Sequence, residues 1–305
     1  MGLVTDGPAE SRIICAGESL VDVITVDGEE RSVPGGGPMN AAVAAARLAV
    51  PTAFVGRVST DAAGDSIWAH LEHSGVDLRA AQRGPEPTAR AVVTTVPVQS
   101  FRFDGDGTAD ASMTTVDLSP LGAGPHILHA GTLGIFRGTT AGVLAGLLPT
   151  FDGLVSFDPN IRPQVFPSRE EWLAVADPWL DRADVIKASD EDLDWMGADP
   201  ASLLARGAGV VLRTVGPDGV EVHLADGETL SVPAATVEVA DTVGAGDSFS
   251  GAVLSRLLLD GVVTRPALDG VTVERWRPIV EFGIRAAAVT VGRLGADPPW
   301  ASELA

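Results

Sequence analysis

Short runs rich in β-branched and apolar residues alternate with longer segments of helical period through most of the chain, and this rhythm limits the architectures open to it. "TAFVGRV", "HILHAGT", "GLVSFDPN", "DVIKAS" and "GVVLRTVG" read as strands. Between them, "PMNAAVAAARLA", "DAAGDSIWAHLEHSG", "TTAGVLAGLL", "REEWLAVADPWLDRA" and "SFSGAVLSRLLLDG" have helix-like apolar spacing, several with Asp, Ser, Thr or Pro near the start. Units of this kind build a parallel sheet with helices on both faces, so the expected fold is α/β: a doubly wound, mostly parallel sheet. Two regions break the rhythm. "GESLVDVITVDGEERSVPGGG" and "ARAVVTTVPVQSFRFDGDGTADASM" carry alternating runs without a helix between them, and they predict lid strands over about 19–34 and 89–113 that project from the main sheet. Nothing reads as a linker or a repeat, so residues 1–305 are expected to form a single domain.

Composition narrows the function classes. At 305 residues and 45% hydrophobic content the chain has ample material for a large core. A formal charge of -20 repels polyanions, which argues against nucleic acid and anionic membrane as partners and leaves small anions to local arginines or backbone N–H groups. The opening "MGLVTDGPAESR" has no basic or apolar leader pattern, and no later stretch offers a membrane-length apolar run, so the expected localisation is cytoplasmic. Cys15 is the only cysteine and lies in the apolar run "RIICAG", which excludes an internal disulfide and reads as core.

The segment "DTVGAGDSFSG", residues 241–251, asks for a chemical reason. Gly244 and Gly246 permit unusual backbone angles, so successive N–H groups can converge on one point, with the N-terminal dipole of the following helix behind them. That is an anion hole suited to a phosphate. It is neither a dinucleotide fingerprint, being near the C-terminus, nor a Walker loop, since Asp247 and Ser248 follow the glycines. A carboxylate inside an anion hole makes sense if a hydroxyl lies between it and the phosphate: Asp247 takes the alcohol proton while the loop holds the charge on the transferred phosphoryl. An aspartate that only caps the helix is the alternative. A second run, "PGGGPMNAAVAAARLA", places three glycines before another helix with Pro38 in its first turn and Asn40 as donor and acceptor, which suits close approach to a hydroxylated ligand or simply a tight connection.

Together, in this order and separation, "PGGGPMNAA" and "DTVGAGDSFSGAVL" resemble the two signatures of the PfkB (ribokinase-like) carbohydrate kinases, and the similarity runs from about "IICAGES" to "GRLGADPPW". "GESLVDVI", "DPNIRP", "KASDEDL" and the "SFRFD...GTAD" hairpin look most like fructokinases. The resemblance implies a ribokinase-like fold with a small β lid, and phosphoryl transfer from ATP to the primary hydroxyl of D-fructose, giving fructose 6-phosphate. On the same scaffold the alternatives are kinases for 2-keto-3-deoxygluconate, ribose or a nucleoside-like riboside, and, in another class, a non-catalytic sugar or nucleotide sensor. Position by position, it assigns Asp247 as base with Gly244, Ala245 and Gly246 as anion hole. It assigns Asp22, Gly36, Gly37 and Asn40 to the sugar, and Thr214, Gly216, Gly219, Ser189 and Gly246 to the nucleotide.

Arg162 at a strand end and Arg102 in the hairpin are placed to meet sugar or phosphate oxygens, surface ion pairs being their alternative. With no tyrosine in the chain, Phe101 and Phe103 are the hairpin's candidates for an aromatic wall. The resemblance also implies ATP with Mg²⁺, a divalent-metal element at Ser189–Asp192 in which Asp192 stands for the usual glutamate and acts through water, and a K⁺ site at the Asp241 carboxylate and backbone oxygens near Val243, Thr290 and Gly295. It further implies pairing of lids into a homodimer. His70 and His73 share a predicted helix without a third ligand nearby and read as surface.

Overall fold

The computed structural model describes residues 11–26, 29–94, 100–166 and 168–304. In chain order its first half contains β1 (Ile13–Ala16), β2 (Leu20–Val26), β3 (Glu29–Gly35), α1 (Gly37–Arg47), β4 (Thr52–Val55), β5 (Arg57–Ser59), α2 (Ala62–His73), β6 (Gln82–Gly84), β7 (Ala89–Thr94), β8 (Ser100–Asp104), β9 (His126–Gly131) and α3 (Gly138–Ala145). The second half continues through β10 (Gly153–Asp158), α4 (Arg169–Arg182), β11 (Val185–Ser189), α5 (Asp190–Met196), α6 (Pro200–Ala205), β12 (Val210–Thr214), β13 (Val220–Leu224), β14 (Thr229–Val232), α7 (Ala245–Leu259), α8 (Arg265–Asp269) and α9 (Val273–Val291). No helix among the described residues is long and apolar enough to cross a membrane.

The main sheet has eight strands in the order β14-β13-β12-β11-β10-β9-β1-β4. From β12 to β4 every pairing is parallel, and β13 and β14 add an antiparallel edge. Strands β1, β4 and β9 are buried at every residue, as expected where helices cover both faces and an apolar run replaces alternation. The two-residue period still sorts side chains. Ile13, Cys15, Phe54 and Ile127 face Met39, Ile67, Val253 and Trp276 on one side, while Ile14, Ala16, Val55, Leu128 and Phe157 face Leu144, Trp172 and Trp179 on the other. "TAFVGRV" is two strands rather than one: it breaks at Gly56, where the Phe54 ring fills the space a side chain would need.

A second sheet, β3-β2-β7-β8, stands off the first. β2 pairs with β3 and β7 with β8 in antiparallel hairpins, joined through the parallel β2–β7 pair. One row across it reads Val33, Asp22, Ala91, Phe103, and the next reads Ser32, Val23, Val92, Arg102. Alternate rows point to opposite faces, so Asp22 and Phe103 share a face that Arg102 does not.

Helix α7 lies almost wholly inside the molecule, between α1 and α9, because its sequence is apolar or small on nearly all sides. It approaches α1 so closely that a side chain at Gly251 would meet the Ala41 carbonyl at 2.7 Å and the Ala44 methyl at 2.8 Å. The alanine run of α1 thus serves the packing of α7. Replacing Gly251 with Leu should wedge the pair apart and destabilise the protein by about 1–3 kcal/mol, the usual penalty for overpacking. Urea unfolding would read this as a lower midpoint at an unchanged slope.

Candidate active site

Strands β1, β9, β10, β11 and β12 all end at one edge of the main sheet, and residues at or just beyond their last positions lie there: Glu18, Thr132, Asn160, Ser189 and Val215. Open α/β sheets bind ligands at this carboxyl edge. The glycine loops reach the same place. Gly244 is the N-cap of α7 and takes φ 74°, a left-handed conformation suited to glycine, while Gly246 and Asp247 are already in the first helical turn. Gly246 is therefore not a glycine for reasons of backbone angle. A side chain there would stand 3.0 Å from the Nζ of Lys187.

Asp247 is buried, and its Oδ2 accepts a 2.9 Å hydrogen bond from the Asn40 amide, across 207 residues of sequence. Burial raises its pKa above the ordinary aspartate range, against the Asn40 hydrogen bond and the positive charges of Lys187 and Arg162. The outcome is a carboxylate more basic than usual, held at the positive end of a helix. Lys187 is buried as well and pairs with Asp158, its Nζ lying 3.1 and 3.4 Å from the two carboxylate oxygens.

On the other side of Asp247 lie the groups expected to meet a sugar. A side chain at Gly37 would come within 3.4 Å of Asp247 Oδ1 and would collide with the Thr132 hydroxyl. Gly36, at φ 117°, makes the turn that brings β3 into α1. Asp22, half-buried on the inner row of the small sheet, has its pKa pushed up to about 6, by burial first and by the Asp247 charge second, with Arg162 opposing. The Arg162 Nη1 donates to the carbonyls of Asn160 and Ile161 at 3.2 and 3.1 Å, and its charge acts on both Asp22 and Asp247. Asp22, Gly36, Gly37, Asn40, Arg162 and Asp247 thus surround one space.

Arg102 does not join them. It lies on the opposite face of the small sheet, its side chain is 71% exposed, and it pairs with Asp104 at 2.9 Å. Phe103 has the inward parity; its ring lies under the Arg137 guanidinium at 4.5 Å. The side chain of Phe101 lies outside the described residues.

Of the residues expected to meet a nucleotide, Thr214 ends β12, and Gly216 and Gly219 both take positive φ in the tight turn into β13. Ser189 caps α5 in a capping box with Asp192. Asp192 is fully engaged inside the protein: Oδ1 accepts from the Ile161 N–H at 2.7 Å, and Oδ2 from the Ser189 N–H and hydroxyl at 3.0 and 2.8 Å. Its evident task is to tie the cap of α5 to the loop carrying Arg162. Asp241 draws three segments together, accepting from the Val243 N–H at 3.1 Å and the Gly295 N–H at 2.9 Å, while its own N–H reaches the Val291 carbonyl beside Thr290. Among the described residues no group of three or more His, Cys, Asp or Glu side chains is placed to hold a metal.

Three contributors escape sequence reasoning. Lys187 is one. Glu18 is wholly buried and accepts from the N–H groups of Gly37 at 3.0 Å and Gly134 at 2.7 Å, so one carboxylate holds the glycine loop against the segment after β9. Thr132 takes φ 52°, strained for a β-branched residue, with its hydroxyl accepting from the Asn160 amide at 3.3 Å. Each is an ordinary residue at a strand end until the fold assembles its neighbours.

A buried carboxylate in the first turn of a helix, bonded to an amide and close to further acidic groups, thus stands at the carboxyl edge of a doubly wound sheet. The chain belongs to the pfkB family of carbohydrate kinases, whose pattern it matches over residues 11–303. It is 34% identical over 267 residues to a fructokinase of Rhizobium leguminosarum bv. trifolii, covering 83% of this chain and 82% of that one. The crystal structure of a Xylella fastidiosa fructokinase with bound ATP superposes with a TM-score of 0.84 at 27% identity, covering 93% of each chain. A Vibrio cholerae fructokinase double mutant with fructose, ADP and potassium ion bound gives 0.80 at 26% identity, covering 94% of each.

Glu18 yields a test of the loop anchor. Burial, its largest influence, lifts its pKa to about 7, ahead of the lowering by its backbone hydrogen bonds and a further rise from the Asp110 charge. The folded protein therefore binds this proton more tightly than the unfolded chain does, and stability falls as pH rises from about 4.5 to about 7. Glu18→Gln cannot titrate. The stability difference between wild type and Glu18→Gln, read by urea unfolding, should shift against wild type across that window and be level on either side of it.

Proposed function

We propose that the protein phosphorylates the primary hydroxyl of D-fructose with ATP, giving fructose 6-phosphate. The observation that carries the chemistry is the Asp247 carboxylate, buried at the first turn of α7 and oriented by Asn40 at 2.9 Å. With the sugar held by Asp22, Asn40 and the backbone of Gly36 and Gly37, its hydroxyl would lie between Asp247 and the nucleotide. Asp247 takes the hydroxyl proton as the oxygen attacks in line, and the N–H groups of the 244–246 turn, backed by the helix dipole, stabilise the charge spread over the phosphoryl oxygens. The raised pKa of Asp247 suits it to that proton. The small sheet, with Asp22 and Phe103 on its inner face, closes over the sugar and excludes water, which would otherwise compete for the phosphoryl group.

Nucleotide binding is assigned to the turn after β12, with Thr214, Gly216 and Gly219, and to the neighbourhood of Ser189 and Gly246. Mg²⁺ bound to ATP would neutralise phosphate charge and needs few protein ligands. Its approach through water to Asp192 would have to spare the three hydrogen bonds that carboxylate already accepts. For a monovalent cation, the Asp241 oxygens each keep an unused lone pair beyond their N–H partners, and backbone oxygens near Val243, Thr290 and Gly295 would have to complete the set, although the Thr290 and Gly295 carbonyls already accept from the Arg293 and Asp297 N–H groups. K⁺ there would fix the approach to α7.

ADP release with a panel of sugars tests the reading. Fructose should give the largest kcat/KM; no rise with any sugar would favour a non-catalytic sensor on this fold. Asp247→Asn should leave the fructose KM within a few-fold and lower kcat by about 10²–10⁴, the contribution of a positioned base. The pH profile supplies another check. Asp22 and Asp247 both have raised pKa values, and each carboxylate acts ionised, so kcat/KM should fall on acidification through about pH 6. An acid limb at the ordinary aspartate position, about pH 4, would contradict it.

A further inference from the structure

The chemistry above leaves Lys187 without a task. A lysine ammonium is compact and strongly hydrated, and burying one is costly unless it is paired. Lys187 is only 7% exposed. Burial pulls its pKa down, but the carboxylates of Asp158, Asp192 and Asp247 outweigh that and hold it above the usual lysine value, so the group is a cation. Among the described residues its hydrogen bonding goes to a single carboxylate, Asp158, at 3.4 Å to one oxygen, with the other 3.1 Å away. An ammonium has three N–H donors, and one acceptor group leaves at least one of them free for a ligand.

The position of this cation argues against a purely structural pair. A buried ion pair adds little stability over an apolar pair of the same volume, and the core of this protein is otherwise apolar. Lys187 instead sits near the end of β11, at the ligand-binding edge, and its Nζ lies over the first turn of α7. Gly246 has no need of glycine's backbone freedom, being helical; what a side chain there would do is crowd Nζ, at 3.0 Å. The absence of a side chain leaves the cation directly beside the N-terminal turn of α7. Asp247, the base, is close enough to bias the titration of Lys187, and Lys187 that of Asp247.

We propose that Lys187 is a catalytic residue whose ammonium contacts the transferring phosphoryl group of the nucleoside triphosphate. The inference rests on the kinase reading above and goes beyond it. In the step, the sugar oxygen forms a bond to phosphorus and its proton passes to Asp247. The bond from phosphorus to the bridging oxygen of the diphosphate breaks, and that electron pair leaves on the diphosphate. Lys187 neither gives nor takes a proton: it is a fixed charge aimed at the oxygens of the group in flight. Asp158 balances that charge and positions it. Asp158, the last residue of β10, is anchored in turn, its carbonyl accepting from the Thr132 N–H at 3.1 Å.

Calorimetry with ADP and with a non-hydrolysable triphosphate analogue, both as magnesium complexes, separates this role from a structural one. Lys187→Met should weaken the triphosphate analogue by about tenfold or more while leaving ADP within about threefold, since only the triphosphate carries the group Lys187 meets. Turnover should fall by about 10²–10³, the effect of losing one electrostatic stabiliser of a transition state. Lys187→Met strands the Asp158 charge, so Lys187→Met combined with Asp158→Asn, a neutral pair, repeats the measurement in a folded background. An unchanged ratio of the two affinities, whether both are weakened equally or neither is, overturns the proposal and leaves the kinase reading intact. Wild-type protein that binds neither nucleotide overturns the kinase reading and this one with it.

Discussion

The Asn40 amide and the Asp247 carboxylate, 2.9 Å apart and 207 residues distant in sequence, form the contact on which the site depends. It cannot form unless α1 and α7 pack at close range, and that packing requires the small residues Ala41, Ala44, Ala45 and Gly251 where the helices meet. Both helices begin at glycine turns on the carboxyl edge of the sheet, so one packing arrangement sets the orientation of the two N-termini and hence of the two loops that would hold sugar and phosphate. An unpaired buried carboxylate would be strongly disfavoured; the Asn40 donor and the helix end make an ionised Asp247 tolerable while leaving it basic.

The electrostatics of this chain are otherwise hostile to its substrate. With a formal charge of -20 and the carboxylates of Asp22, Asp158, Asp192 and Asp247 gathered at one edge, a triphosphate meets repulsion almost everywhere. Attraction has to be local. On the proposed reading, Arg162, Lys187 and the start of α7 would supply it, and low dielectric would strengthen each of them. Asp22 and Asp247 would serve the sugar, whose hydroxyls are donors, while Asp158 pairs with Lys187 and Asp192 is held by Ile161 and Ser189. The site would then be divided in sign, with an acidic wall at Asp22 for hydroxyls and a cationic and amide floor for phosphate, and Asp247 at the boundary.

The fold was legible where residue type repeats with a period, and the site where residue type is unusual for its surroundings. Parallel strands announce themselves as β-branched runs, and the glycine loops as clusters no helix or strand would choose. Arg102 and Phe103 show the limit: both stand in one strand, and only the register of β8 on β7 decides which faces the site. Glu18, Thr132 and Lys187 show another. Each is common in its local sequence, and each acquires its function from a partner more than 19 positions away: Gly134 for Glu18, Asn160 for Thr132, Asp158 for Lys187. Gly246 was legible as a special residue, but its helical backbone needs no positive φ, and a side chain there would begin 3.0 Å from the Lys187 Nζ.

These partners explain why a site made largely of loops can hold its geometry. Glu18 pins the glycine loop to the 132–136 segment, and Thr132 accepts from Asn160. Asp192 holds the Ile161 N–H, and Asp158 holds Lys187, so the loops after β1, β9, β10 and β11 are cross-tied through buried polar groups. Catalysis by electrostatic preorganisation needs such rigidity, because dipoles that must turn toward a developing charge forfeit much of what they contribute. The strained Thr132 backbone and the buried, reluctantly ionised Glu18 both lower the stability of the fold on their own account. Their persistence at this edge is what a site that trades local stability for a fixed arrangement of charges would require.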